Sequence, residues 1–521
     1  MREDLLLREF DRITDAPDAI VRLRQFVLDL AVRGKLAERS SDDEPASSLL
    51  SRIESQLKGT PPGGSRRKSV YFAPIKASEA PFSVPDGWIW ARLRQITRDR
   101  GQTVPTSSFT YIDVTAIDKE LGRLGAPFIL SAMEAPSRAR KIVSRGDVLY
   151  SCVRPYLLNI AVIEEDLNPL PIASTAFAVL DGVGLVEPRY LWTVLRSPYF
   201  VECVEDKMRG QAYPAINDSD LSQLPIPLPP LAEQGRIVGK VDELMTLCDQ
   251  MELAQKEREL QRDALRAACL QQLTSPDLGA DKSKAARFFL DTSSRLITKP
   301  EHPAAIRKAI LDLAVQGQLV GHDPARWTLT TLGDIGTWGS GGTPTTGNPD
   351  YYGGSIPWVV IGDLNEGVVS HTAQTITELG LANSSAKLVE PGTVLIAMYG
   401  ASVGKLGITG FRCATNQAIA HCVPKSSVFE RDYLFLVLRS LRASLVASAK
   451  GGAQPNISQT VLKGWSITLP PPAEQRLIVA KVEELMALCD DLEAALTSAQ
   501  HERGRLLEAV LHDALSGSDP A

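Results

Sequence analysis

The sequence contains no apolar run of eighteen residues, so a membrane-spanning helix is not expected. Its first residues, MREDLLLREFDR, are charged where a secretion signal needs an apolar stretch, and a cytoplasmic location is the expectation. There is no Cys-x-x-Cys pair. The seven cysteines (Cys152, Cys203, Cys248, Cys269, Cys413, Cys422 and Cys489) are odd in number and scattered, against both a disulfide framework and a zinc site. None of the six histidines stands at metal-ligand spacing. Positive charge is not in excess either: the net charge is -6 and the pI about 5.7. That balance gives nucleic-acid binding no support and does not exclude it, because acidic helices can mask a basic groove elsewhere.

Catalytic motifs are missing as well. Gly400 to Lys405 (GASVGK) has one residue too few between its glycines for a phosphate loop, and no Ser or Thr follows the lysine. Gly339 to Pro344 (GSGGTP) lacks the glycine spacing of a dinucleotide fingerprint. The NPLP at Asn168 has no aromatic residue to make a methyltransferase motif. Glu164, Glu165 and Asp166 read as a solvated turn. The chain therefore reads as a binder. Two rivals remain: an enzyme with an unrecognised site, such as a standalone nuclease or hydrolase, and a coiled-coil adaptor without specific DNA contact.

What the sequence does contain is repetition. LPPLAEQGRIVGKVDELMTLCD (Leu228 to Asp249) returns 241 residues later as LPPPAEQRLIVAKVEELMALCD (Leu469 to Asp490), with 16 of 22 positions identical. Proline is tolerated at a helix start and an early glutamate suits the positive end of the helix dipole, so each copy predicts a helix entered abruptly from an extended segment. Those helices should cover Ala232 to Leu273, about 63 Å at 1.5 Å per residue, and Ala473 to Leu515. Steps of three and four from Val241 and Val482 mark a narrow coiled-coil seam, polar in the middle of the first copy. Cys248 and Cys489 fall at equivalent points on it and read as small buried core residues. A fainter repeat precedes each half: Leu23 to Leu36 matches Ile306 to Leu319, amphipathic helices closed by Gly34 and Gly317.

After the first of these helices comes an insertion, Ser41 to Val84, without a counterpart in the second half. It predicts one helix, Pro45 to Lys58, then a flexible TPPGGSRRKS linker, and reads as a linker or partner contact. From Pro85 and again from Arg326 the texture becomes short β-type runs between turn formers. Strands are predicted at Tyr111 to Ile117, Asp147 to Val153, Asn159 to Ile163 and Thr175 to Leu180. In the second half they are Ile356 to Gly362, Thr393 to Tyr399, Lys405 to Thr409 and Ala418 to Val423. Each half closes with one helix (Arg189 to Lys207, Arg431 to Ala449) and a glycine-containing loop (Gly210 to Asn217, Gly451 to Ser458). The divisions are residues 1–84, helix plus linker; 85–230, first β-rich domain; 231–325, central helical region; 326–470, second β-rich domain; and 471–521, final helix.

The β-rich domains carry hydrogen-bond donors on their loops. The first offers Arg138, Arg140, Lys141, Arg154, Tyr156 and Asn159; the second offers Thr343, Thr345, Tyr352, Lys387, Tyr399, Ser402, Lys405, Asn416 and Gln417. Arginine reaches guanine bidentately, Asn and Gln reach adenine, and Ser, Thr and Lys serve phosphates, so these are the candidate DNA contacts. On the long helices Ile237, Val241, Leu244, Ile478, Val482 and Leu485 are the candidate partner-binding residues.

The repeated LPP-x-AEQ helices, LDLAVRGKL and LDLAVQGQL, RGDVLYSCVRP and PGTVLIAMYGASVGK together resemble the specificity subunit of type I restriction-modification systems. The resemblance covers essentially the whole chain. It implies an α+β fold: two target-recognition domains joined by two long antiparallel coiled-coil helices, with a pseudo-twofold internal repeat. It further implies that each domain reads half of a bipartite double-stranded DNA site while the helices set the gap. The implied partners are two methyltransferase subunits and the restriction subunits. S-adenosylmethionine, ATP and Mg2+ would be used by those partners, with no cofactor and no metal in this chain.

Overall fold

Each β-rich segment begins and ends at one small sheet. Ile89–Arg92 pairs antiparallel with Pro225–Leu228, and Thr328–Thr331 pairs with Ser466–Leu469, with Ile89 opposite Leu228 and Thr328 opposite Leu469. The proline-rich run before each long helix is thus a strand that ties the end of its domain to the beginning. This computed structural model describes residues 16, 18–59, 75, 79–210, 213–275, 281–320, 327–425, 428–449 and 455–516.

Contacts divide the chain into two units. One comprises Met1–Glu257 with Arg503–Ala521, the other Arg258–Glu502. The two long helices, Leu231–Thr274 and Pro472–Ser516, match the predicted spans to within a residue and each begins in one unit and ends in the other. In the first unit the end of the second helix buries Leu507, Val510 and Leu511 against Ala16 and Ala19, and Lys35 Nζ donates to the Leu515 carbonyl at 2.6 Å.

The first unit's five-stranded sheet runs Phe177–Leu180, Val148–Ser151, Ile160–Val162, Arg123–Leu124, Ile117–Asp118; its four-stranded sheet runs Phe128–Leu130, Phe109–Ile112, Pro171–Ser174, Ala139–Ile142. The second unit has the same set. Its five strands are Gly336–Ser340, Ile419–Pro424, Val394–Ala397, Leu406–Thr409 and Val368–Val369; its four are Gln374–Ile376, Tyr352–Val359, Cys413–Thr415 and Leu388–Val389. Helices cover the five-stranded sheets and enclose the main cores, around Tyr190, Phe200 and Trp192 in the first unit and Tyr433, Leu434 and Phe429 in the second.

The repeated Ala-Glu-Gln is a fastening. Gln234 and Gln475 are fully buried. Gln234 Oε1 accepts the Glu187 amide at 2.9 Å and its Nε2 donates to the Pro229 carbonyl at 3.1 Å. Gln475 repeats both bonds, to the Glu430 amide at 2.8 Å and the Pro470 carbonyl at 2.8 Å. Each glutamine thus joins its long helix to the residue just before a domain helix, Glu187 or Glu430, using donors and acceptors that helix termini leave unpaired.

Several expectations need correction. Arg189 to Lys207 is not one helix: it breaks into Pro188–Arg196 and Pro198–Glu205, because Pro198 has no amide to donate and Ser197 turns extended and accepts the Phe200 amide at 3.3 Å. Its counterpart, without that proline, is the single helix Arg431–Ser448. The insertion's helix, Ala46–Gly59, is part of the first core, with Ala46, Leu49 and Ile53 fully buried, and not a detached linker. The TPPGGSRRKS stretch lies outside the described residues. On the first helix seam Arg258 and Leu265 are exposed, and their neighbours Glu259 and Arg266 are the half-buried positions there instead. The helix Asp281–Leu296 was not anticipated.

The six candidate partner-binding residues are also corrected. Ile237 and Val241 are buried in the first core with Leu244 packed against it, and Ile478 and Val482 are buried in the second with Leu485 against it. Their apolar surface is already covered by the chain's own domains. Gly34 and Gly317 close their helices in the left-handed region, with φ 66° and 70°. Cys248 and Cys489 are buried.

Candidate nucleic-acid interface

One end of each five-stranded sheet gathers three loops. In the first unit the strand Val148–Ser151 runs out past Phe177–Leu180, and the Cys152 amide donates to the Ala176 carbonyl at 2.9 Å. The chain then turns through Arg154, Pro155 and Tyr156, where Arg154 (φ 48°) and Leu158 (φ 55°) hold left-handed backbone. The loop before Asn217 comes alongside: the Arg154 amide donates to Pro214 O at 2.8 Å and the Ile216 amide to Cys152 O at 3.0 Å. The second unit repeats this with different residues. There the Met398 amide donates to Ala418 O at 2.8 Å, the Gly400 amide to Pro455 O at 2.8 Å and the Ile457 amide to Met398 O at 2.9 Å.

In the first unit the structure brings Arg138, Arg154 and Tyr156 to this end. Arg138 is exposed, and its carbonyl accepts the Thr175 amide at 2.9 Å, one residue from Ala176. Arg140 is half-buried on the strand Ala139–Ile142. Lys141 and Asn159 do not belong with them. Lys141 is buried, with Nζ 2.9 Å from Asp99 and 3.5 Å from Asp218. Burial pulls its pKa down, but the bond and charge of Asp99 and the charge of Asp218 more than offset this and leave it raised. Asn159 is buried as well, its carbonyl accepting the Ser151 amide at 3.1 Å. Alternation along a strand sends one neighbour out and the next in, which the run Arg138 to Lys141 does not reveal by composition.

In the second unit Thr343, Asn416, Gln417 and Tyr399 converge. The Thr343 hydroxyl donates to Gln417 Oε1, and the adjacent Gly342 amide donates to Thr415 O at 2.9 Å. Tyr399 follows Met398, whose amide meets the Ala418 carbonyl, so its backbone lies next to that of Gln417, and its side chain is exposed. Ser402 and Lys405 lie further along that loop, both half-buried. Thr345 is exposed, whereas the Tyr352 hydroxyl is committed to the Pro344 carbonyl at 2.7 Å and its ring packs edge-on to Trp358 at 5.9 Å. Lys387 is exposed one residue before Leu388, which pairs with Ala414. Burial first, and the Lys387 charge second, hold the buried His421 below the ordinary histidine range.

Tyr213 is not among the candidate contacts, although its loop belongs to the repeat; its ring is exposed and lies 4.9 Å from the Arg154 guanidinium. The signal available was its position: it stands where the second loop has Gln454, which lies outside the described residues. Residues distant in sequence also place Glu259, Asp263 and His302 within 4.8 Å of one another. Glu259 is ion-paired with Lys299 at 2.9 Å and Asp263 with Arg266 at 2.8 Å, and His302 Nδ1 accepts the Thr298 amide at 3.1 Å, so each of the three already has a protein partner.

The chain matches the family model described as the type I restriction modification DNA specificity domain, over residues 175–262 and 324–499. It is 25% identical to the EcoEI type I restriction enzyme specificity subunit of Escherichia coli over 95% of this chain and 94% of that protein. With the EcoAI specificity subunit of the same species it shares 29% identity over 58% of this chain and 53% of that one. A solved structure from work on complex assembly and conformational transition of the type I R-M system is 28% identical, covering 84% of this chain and all (100%) of that chain, with a TM-score of 0.53.

Proposed function

Because the chain belongs to the family of type I restriction-modification DNA specificity subunits, we propose that its two β-rich domains each read one half of a bipartite duplex site. The observation that carries this reading is the pair of equivalent loop clusters. The same backbone bonds build both, yet one presents arginines and tyrosines and the other Thr343, Tyr399, Asn416 and Gln417. A shared frame with unlike donors is what two different half-sites require. The domains would dock in major grooves about one helical turn (~34 Å) apart or somewhat more, each bidentate base contact giving ~1–3 kcal/mol of discrimination.

The two long helices act as an antiparallel coiled-coil spacer within a pseudo-twofold frame. Partner methyltransferase subunits, two per complex, and restriction subunits dock on the repeated helical region and bring the S-adenosylmethionine, ATP and Mg2+ chemistry. This chain carries no catalytic step. With Ile237 and its equivalents buried, docking falls to exposed positions that the repeat duplicates, such as Leu247 and Leu488. Among the described residues no helix is long and apolar enough to cross a membrane.

Methylation-site mapping in cells carrying this chain with its methyltransferase subunit tests the reading. A split motif is expected, and lengthening both long helices by equal turns should change the gap and neither half. Methylation without a split motif, or half-sites that change with helix length, would remove the proposal.

A further inference from the structure

Arg154 sits where the second unit has glycine. Its amide bonds to Pro214 O as the Gly400 amide bonds to Pro455 O, and both positions are left-handed, φ 48° and 68°. A side chain there costs on the order of 1 kcal/mol that glycine does not incur. The arginine therefore stands against the local preference of the backbone.

Its side chain is set out for use. The Arg154 Cζ lies 4.9 Å from the centroid of Tyr213, whose ring is 70% exposed. Stacking occupies one face of the guanidinium and leaves its N–H donors, which lie in the plane, free to bond. Residues on either side of the ring are tied down: Val153 bridges Ala215, and Ala215 and Arg209 exchange backbone bonds at 3.0 and 2.9 Å. Two nearby cations are committed elsewhere, Lys141 to Asp99 and Asp218 and Arg209 to Asp220, whereas Arg138 is exposed beside Arg154 at the same end of the sheet. Among the described residues Arg154 has no such carboxylate partner.

We propose that the Arg154–Tyr213 stack is the guanine-reading element of the first domain, with Tyr213 as a positioning residue that holds the guanidinium plane toward O6 and N7 in the major groove. This rests on the DNA-recognition reading above. The test uses the full chain reconstituted with its methyltransferase subunit and a duplex library randomised in both half-sites. Arg154→Gly, which suits the backbone as Gly400 does, should lower preference for G at one first-half position roughly 5- to 150-fold, leave the second half-site unchanged and not lower the melting midpoint. Tyr213→Ala should weaken the same position, and Tyr213→Phe should retain it. Equal preference in Arg154→Gly overturns the proposal. So does a uniform loss across sequences with a shallower salt dependence, which marks a phosphate contact. Tyr213→Ala indistinguishable from wild type removes the positioning role. If the wild-type complex selects no split sequence, the recognition reading fails first, a result separable from these.

Discussion

Arg24 Nη2 lies 2.7 Å from Asp249 Oδ1 and 2.7 Å from Glu252 Oε2, and the second unit reproduces this fork with Arg307 at 2.5 Å from Asp490 and 2.7 Å from Glu493. The two sequence repeats had different offsets, one in the short helices and one in the long. The fork shows why both persist: each short helix docks on the long helix of its own unit through the same three charges, beside buried Cys248 or Cys489.

These ion pairs specify register more than they stabilise. Asp249 and Asp490 are well exposed and Glu252 and Glu493 half-buried, so Arg24→Ala should cost about 1 kcal/mol or less in urea unfolding. Lys256 first, and Arg24 second, hold Glu252 below the ordinary glutamate range. Its folded pKa is depressed, so this small contribution is present above the unfolded value and lost as pH falls through the folded one. An Arg24→Ala protein that matched wild type in acid and lost several kcal/mol at neutral pH would show the fork to be a stability element instead.

Lys141 and Arg138 should separate structure from recognition. Lys141→Ala leaves Asp99 and Asp218 without their cation and should cost about 1–3 kcal/mol. Its folded pKa is raised, so the contribution holds below the unfolded lysine value and fades as pH rises through the folded one. Arg138→Ala should stay within about 0.5 kcal/mol of wild type in stability and weaken binding to the first half-site alone. Denaturation midpoints and half-site binding, measured on both variants, check the pair together.

Gln234 and Gln475 should behave as duplicates. Replacing either with alanine strands a buried amide and a carbonyl, for about 1–3 kcal/mol each. The two sit in separate units, so the double variant should lose the sum within about 0.5 kcal/mol, read by chemical denaturation. A marked departure from additivity would mean that the fastenings are coupled.

Much of the frame was legible in the sequence because it rests on periodicity and punctuation. The long helices, the glycine caps at Gly34 and Gly317 and seven of the eight predicted strands have local signatures; Tyr111 to Ile117 instead leaves its strand at Ile112 and turns through Val114–Ala116 before Ile117–Asp118 joins the other sheet. What was not legible depended on tertiary context. Pro198 split a helix that apolar content had joined, and Ile237 and Val241 found their cover in the chain's own domain. Lys141 and Asn159 carry donor chemistry, but the fold faces them inward, while Tyr213 gains meaning only from the arginine beside it. Residue type names a candidate contact; strand direction and loop pairing decide whether it is presented.

The glycine-rich loop of the second domain gives a last contrast. A methyl group on Gly341 would stand 1.9 Å from the Thr415 carbonyl oxygen, and one on Gly342 would stand 2.2 Å from the Ala386 nitrogen. Both obstacles are backbone, so the loop would have to lift away from the turn that carries Asn416 and Gln417. Gly347, three residues past Pro344, has nothing within 4 Å. Gly341→Ala should therefore destabilise the second domain by about 1–3 kcal/mol and abolish its half-site preference, while the first half-site is still read. Gly347→Ala should leave both intact. Equal behaviour of the two alanine variants in library selection would show that the close approach at Gly341 is not what holds Thr343 against Gln417.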